Sequence, residues 1–121
     1  MAKQVLTIPI ELPDFNSLIK SSKSHWSKYA EIKKGYDSIV SSFAMRELKP
    51  ITKYPIDITC NWYCKDDKKD KDNISAGKKF ILDGLKLANI IPDDTWQYIG
   101  NFSDKFFVDR SNPRIEVVLK Y

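Results

Sequence analysis

Three aspartates have the type and spacing from which chemistry could be built: Asp70 and Asp72 in Lys69-Asp70-Lys71-Asp72-Asn73, and Asp94 closing Ile91-Pro92-Asp93-Asp94. Carboxylates placed this way could share divalent cations beside a phosphate. If the chain is extended at Asp70, residues two apart point to one side about 6 to 7 Å from each other, so Asp70 and Asp72 can converge on one ion. Asp94 must return from the far side of an intervening helix to join them. Two oxygen-liganded ions roughly 4 Å apart could then activate a water and stabilise the leaving oxygen of a phosphodiester. A nearby lysine would offset the charge gained in the transition state.

The simpler alternative is that Lys65 to Asp72 is a solvated loop of mixed charge and Asp93-Asp94 a turn. Other phosphate and metal motifs fail on inspection. An EF-hand starting at Asp70 would need an acidic or amide residue where Ile74 stands and a glycine where Ser75 stands. A P-loop fails because Lys79 follows Gly77-Lys78 and position 72 is Asp. His25 is the only histidine and reads as a surface residue at a helix start. Cys60 and Cys64, with no further Cys and no nearby His, build neither a zinc site nor a disulfide framework. They read as filler in a reducing cytoplasm.

The elements that must position the aspartates are read from hydrophobic period. At 121 residues the chain is sized for one domain, spanning 1–121, and 42% hydrophobic content argues for an ordered core. Val5 to Leu12 alternate as a half-buried strand, with Pro9 marking an edge or a bulge. A broad helical stripe of Trp26, Tyr29, Lys33, Tyr36, Val40 and Phe43 follows from about Ser24, a plausible N-cap, to Glu47. Ile56 to Cys64 alternate as the clearest strand.

From Ile74 to Ala88 a second helix shows two apolar strips, a width that suggests burial against the sheet and against another subunit. Trp96 to Phe102 and Ile115 to Tyr121 then alternate as strands, joined through a turn at Ser111-Asn112-Pro113. The expected architecture is α+β: a mixed four-stranded sheet with two long helices on one face, in the order β-α-β-α-β-β.

Charge points weakly to a polyanionic partner, since the chain carries 20 Lys and Arg against 16 Asp and Glu. Its distribution says more. Lys20, Lys23, Lys28, Lys33 and Lys34 face a single acid, Glu31, and interleave with His25, Trp26 and Tyr29, a segment able to follow a phosphate backbone. No signal peptide or membrane-spanning stretch is read, so a cytoplasmic location without membrane attachment is expected.

The stretch Asp70-Lys71-Asp72-Asn73-Ile74, then Lys79-Phe80-Ile81-Leu82-Asp83-Gly84-Leu85, then Ile90-Ile91-Pro92-Asp93-Asp94 resembles the signature of the RusA family of Holliday junction resolvases. That signature is D-x-D-N, a helix carrying K and L-D-x-L, and a D-D pair, and here it spans some 25 residues in order. The resemblance implies a small homodimeric endodeoxyribonuclease that uses Mg²⁺ or Mn²⁺ to resolve four-way DNA junctions by paired nicks, in DNA recombination and repair.

Position by position, Asp70, Asp72 and Asp94 match the family's metal-site acids, Asn73 the Asn after the second Asp, and Asn16 an Asn found early in many members. The lysine departs from the pattern: position 76 is Ala, and alignment back from Asp83 and Asp94 gives Lys79, with Lys78 as the alternative. Three extra residues add about 4.5 Å and 300° of helix, nearly a whole turn. Lys69, Lys71 and Lys78, with Lys20 and Lys23, complete the expected DNA-contacting set. Two other functions suit the same residues: a non-catalytic DNA-binding protein of this fold, and a nuclease for other branched DNA.

Overall fold

The structure, a computed structural model, describes residues 1–24 and 26–121, and the side chains of Ser22, Ser24 and Trp26 are not described. Its elements are β1 (Lys3–Ile8), α1 (Phe15–Ser24), α2 (Trp26–Glu47), β2 (Ile56–Cys64), α3 (Lys71–Ser75), α4 (Lys78–Leu87), β3 (Ile99–Val108) and β4 (Arg114–Lys120). The four strands form one mixed sheet in the order β1-β4-β2-β3. β4 pairs antiparallel with both β1 and β2, while β2 and β3 run parallel.

The expected mixed four-stranded α+β sheet is present, but the element order is β-α-α-β-α-α-β-β. An additional helix, α1, follows β1 because Asp14 starts it: its Oδ1 accepts from Ser17 N at 2.8 Å and its carbonyl from Leu18 N at 3.1 Å. Ser24, expected to cap the long helix, is instead the last residue of α1, and the His25 reading lies outside the described residues. The first strand stops at Ile8 because Pro9 cannot donate to the ladder, and β1 is an edge strand as that proline suggested.

The helix expected over 74–88 is two pieces. Gly77 N turns back to Ile74 O at 3.1 Å, ending α3, and Gly77 packs so tightly that a Cβ there would stand 3.1 Å from Leu12 Cβ. α4 then ends in a Schellman turn, with Ile90 N on Leu85 O and Asn89 N on Lys86 O, both 3.0 Å, and Asn89 in the left-handed region at φ 59°. That turn sends Ile90 and Ile91 into the core.

One sheet face is buried. Leu6, Ile8, Ile56, Ile58, Cys60, Trp62, Ile115, Val117 and Leu119 point into the core, and the alternating residues between them are open or half-open. α2 and α4 cross over that face with Gly84 against Val40 and the Tyr36 and Phe80 rings 5.7 Å apart. Phe80, Ile81, Leu82, Leu85 and Ala88 are all buried within this one chain. Most of the double apolar face expected over 74–88 is therefore filled by the chain's own sheet and α2, while Leu87, from the second strip, stays 55% exposed.

The strand expected at Trp96–Phe102 begins only at Ile99. Tyr98 N and Ile99 N both donate to Thr95 O at 3.0 Å, which makes 95–98 a turn and leaves Trp96 98% exposed. Among the described residues, no helix is long and apolar enough to cross a membrane.

Candidate metal and nucleic-acid site

Asp70 and Asp72 leave the C-terminal end of β2 and Asp94 precedes the N-terminal end of β3. Because these two strands are parallel, the chain between them must travel back along the sheet, and α4 is that return. The extended spacing expected for Asp70 and Asp72 holds only at the first of them. Asp70 is extended, φ −69° and ψ 149°, in the N-cap position of α3, but makes no side-chain cap bond. Asp72 is already in the first helical turn, where its Oδ1 accepts from Asn73 N at 3.0 Å. Residues two apart on a helix do not face each other, so any convergence of these carboxylates depends on the helix start and not on a strand pleat.

Both carboxylates are exposed, and among the described residues neither is ion-paired. Lys69 turns away from them to Asp14 Oδ2 at 3.6 Å, which ties the loop to the start of α1. The hydrogen bond from the Ser17 side chain, outweighing burial and helped by Lys69, holds the Asp14 carboxyl below its ordinary value. Asn16, Lys20 and Lys23 are exposed on α1, whose beginning is thereby joined to the same loop. Lys71 lies 5.7 Å from the centre of the Phe106 ring on β3.

Asp94 belongs to a different neighbourhood. Its Oδ2 is 3.6 Å from Lys79 Nζ and its Oδ1 3.4 Å from Lys86 Nζ. Both lysines also reach Asp83 Oδ1, at 3.3 and 3.2 Å, while Lys33 from α2 bonds Asp83 Oδ2 at 2.6 Å and Asp37 Oδ2 at 2.7 Å. Burial opposes the charge on Asp83, but Lys33 and Lys86 outweigh it and lower the carboxyl's pKa. Asp94 follows the same pattern: burial raises its carboxyl, but Lys86, the hydrogen bond with Asp93 and Lys79 together outweigh burial and lower it. Lys33, expected to follow a polyanion, is thus consumed inside the protein.

Of the two lysines left open by the alignment, Lys79 is the one at ion-pair distance from Asp94. Lys78 points to β3, where its Nζ bonds Asp104 Oδ2 at 2.6 Å and lies 4.6 Å from the Phe102 ring centre. Asp104 Oδ1 also accepts from the Trp62 indole at 2.9 Å. Asp83, Asp104 and Asp14 are the carboxylates that sequence reasoning missed as organising residues. For Asp14, the signal was present as an Asp three residues before Ser17 at a change of period.

Among the described residues, no three His, Cys, Asp or Glu side chains group closely enough to hold a metal. By donor chemistry, the exposed oxygens of Asp70 and Asp72 fit a hydrated Mg²⁺ or Mn²⁺, which takes one or two carboxylates and retains waters. Asp94 joins such a set only by exchanging its ammonium partners for the ion. Compared with known proteins, the chain matches no family model, and no curated protein matches it.

Proposed function

We propose that this chain is a divalent-metal-dependent endodeoxyribonuclease that resolves Holliday junctions by paired nicks, in recombination and repair. The observation that carries the reading is the ordered pattern from Asp70 to Asp94, which maps onto a single structural passage: the loop after β2, the return helix α4, and the segment before β3. That passage carries exposed carboxylates at one end and, at the other, a carboxylate in contact with a lysine, the residue types that metal-assisted phosphodiester hydrolysis uses once they are brought together.

Asp70, Asp72 and Asp94 would hold Mg²⁺ or Mn²⁺, which when bound supplies Lewis-acid polarisation of the phosphoryl group and a nucleophile at neutral pH. Lys79, more than half exposed and in contact with Asp94, would balance the charge gained by the scissile phosphate once Asp94 is otherwise engaged. Lys20, Lys23, Lys69 and Lys71 with Asn16 and Asn73 would bind the DNA backbone, contributing affinity that falls with salt, whereas Lys78, expected among them, is held by Asp104. Paired nicks call for a homodimer, an expectation now supported by the near-twofold symmetry of the substrate alone.

The ion pairs that occupy both oxygens of Asp94 favour a second reading, a DNA-binding protein without catalysis. Cleavage of a four-way junction in Mg²⁺ and in EDTA separates the two. Parent protein should nick only with metal, and Asp72→Asn should bind the junction but leave it whole. An Asp72→Asn variant that cuts as fast as the parent would rule out this ligand set, and binding without nicking across several branched substrates and metals would establish the second reading.

A further inference from the structure

Asp14 is 7% exposed, the one charged residue among those described that is buried, and a buried carboxylate needs a reason. Capping α1 explains only half of it. Its Oδ1 accepts from the Ser17 amide at 2.8 Å, but a helix start asks for an oxygen and not for a charge, and Ser or Asn would serve as well. What a neutral cap could not do is pair with the Lys69 ammonium, 3.6 Å from Oδ2. Lys69 is the residue before Asp70.

Asp14 does not act by itself. Three residues earlier, Glu11 Oε1 accepts from Lys65 N at 3.0 Å, and between the two acids Leu12 crowds Gly77, leaving 3.1 Å to a Cβ built there. The short connector 11–14 from β1 to α1 thus grips the chain at Lys65, Lys69 and Gly77. Asp70 and Asp72 are exposed between the second and third of these points, and among the described residues neither carboxylate has an ion-pair partner of its own. Where those carboxylates stand depends on what holds the chain on either side.

We propose that Asp14 is a positioning residue: through Lys69 it fixes the loop that presents Asp70 and Asp72, and so couples cation binding on that loop to the start of α1. The inference rests on the reading of Asp70 and Asp72 as metal ligands and adds to it the residue that holds them in place. A burial that capping alone does not explain is thereby given a purpose.

The test uses the whole chain without DNA and Mn²⁺ as the probe, followed by loss of the free-ion resonance. Amide hydrogen exchange is read at Ile74 and Gly77, whose N–H groups donate to Asp70 O and Ile74 O at 3.1 Å. Asp14→Asn keeps the cap and drops only the charge, so the melting temperature should move little. Both amides should exchange about two- to fivefold faster and Mn²⁺ should bind about two- to fivefold more weakly, the range open to a partly exposed ion pair. Lys69→Met gives the sharper sign. Removing a cation beside Asp70 tightens Mn²⁺ binding if charge alone matters, whereas loss of the tether should weaken it, and the double variant should be no worse than either single one. In a parent that binds Mn²⁺, tighter binding by Lys69→Met, or an Asp14→Asn variant unchanged in exchange or in affinity, would overturn the proposal. A parent that takes up no Mn²⁺ loses the metal reading, and the tether then stands or falls on the exchange rates alone.

Discussion

Lys79 Nζ sits 3.6 Å from Asp94 Oδ2, so a side chain from the first turn of α4 touches the carboxylate that closes the 25-residue pattern. Lys78, one residue earlier, instead spends its charge on Asp104 and supports the Trp62 indole through it. The two lysines should consequently fail in different ways. Lys79→Ala should lower single-turnover cleavage at saturating protein by about 100-fold or more, with little change in melting temperature. Lys78→Ala should lower the melting temperature by several degrees, because Asp104 is left without its ammonium, and should cut faster than Lys79→Ala. The reverse ranking of cleavage rates would move the role to Lys78.

Asp83 is bonded by Lys33, Lys79 and Lys86 and joins α2 to α4. Asp83→Asn should destabilise by about 1–3 kcal/mol, since it leaves a half-buried Lys33 with Asp37 alone. Its pH dependence has a definite sign. Asp83 titrates below its ordinary 3.8 when folded, so its contribution is present above that value and disappears as pH falls through the depressed one. Lys33 is raised above 10.5, because Asp37 and Asp83 outweigh burial, so its share is intact below 10.5 and lost as pH rises past the folded value. The melting-temperature gap between parent and Asp83→Asn should be widest between about pH 4 and 10 and should narrow at both ends. A gap that does not vary with pH would show that packing and not charge sets the cost.

Two helical glycines predict opposite outcomes for the same substitution. A Cβ on Gly84 would enter the Val40 side chain, standing 2.6 Å from its Cβ and 3.2 Å from Ser41 N, so Gly84→Ala must push α2 and α4 apart. The expected loss is about 1–3 kcal/mol. Gly35, on the exposed side of α2, has nothing within 4 Å of that position, and Gly35→Ala should stabilise by up to about 1 kcal/mol through helix propensity. Denaturant melts of both variants check the pair, and equal effects would contradict the tight contact of α2 with α4.

The sheet was largely legible because a period of two survives wherever one face is buried, as in Ile56, Ile58, Cys60 and Trp62. Boundaries were less so. Trp96, Tyr98, Gly100 and Phe102 alternate like a strand, but the first of these extends into solvent on a turn set by Thr95, a hydrogen-bond choice with no hydrophobic signature. The break at Gly77 was hidden for a similar reason. It depends on Leu12 and Trp62 crowding one backbone position from distant parts of the chain. In the site, alignment to the family pattern preferred Lys79 and left Lys78 open, and it is Lys79 that lies at ion-pair distance from Asp94. That Asp83 would organise three lysines was not readable, because one of them, Lys33, is 50 residues away.

Lys86 provides a test of Asp94 that does not depend on cutting. Its ammonium is 3.4 Å from Asp94 Oδ1 and 3.2 Å from Asp83 Oδ1. An ion that takes Asp94 as a ligand must displace it, so Lys86 and the metal compete. A partly exposed pair of this kind is worth at most about 1 kcal/mol, or about fivefold in affinity. Lys86→Gln should therefore tighten Mn²⁺ binding by up to about fivefold, measured by the loss of free-ion resonance on titration, and Asp94→Asn should weaken it. If Lys86→Gln left Mn²⁺ affinity unchanged while Asp72→Asn abolished it, Asp94 would be a partner of lysines only, and any ion would rest on Asp70 and Asp72 alone.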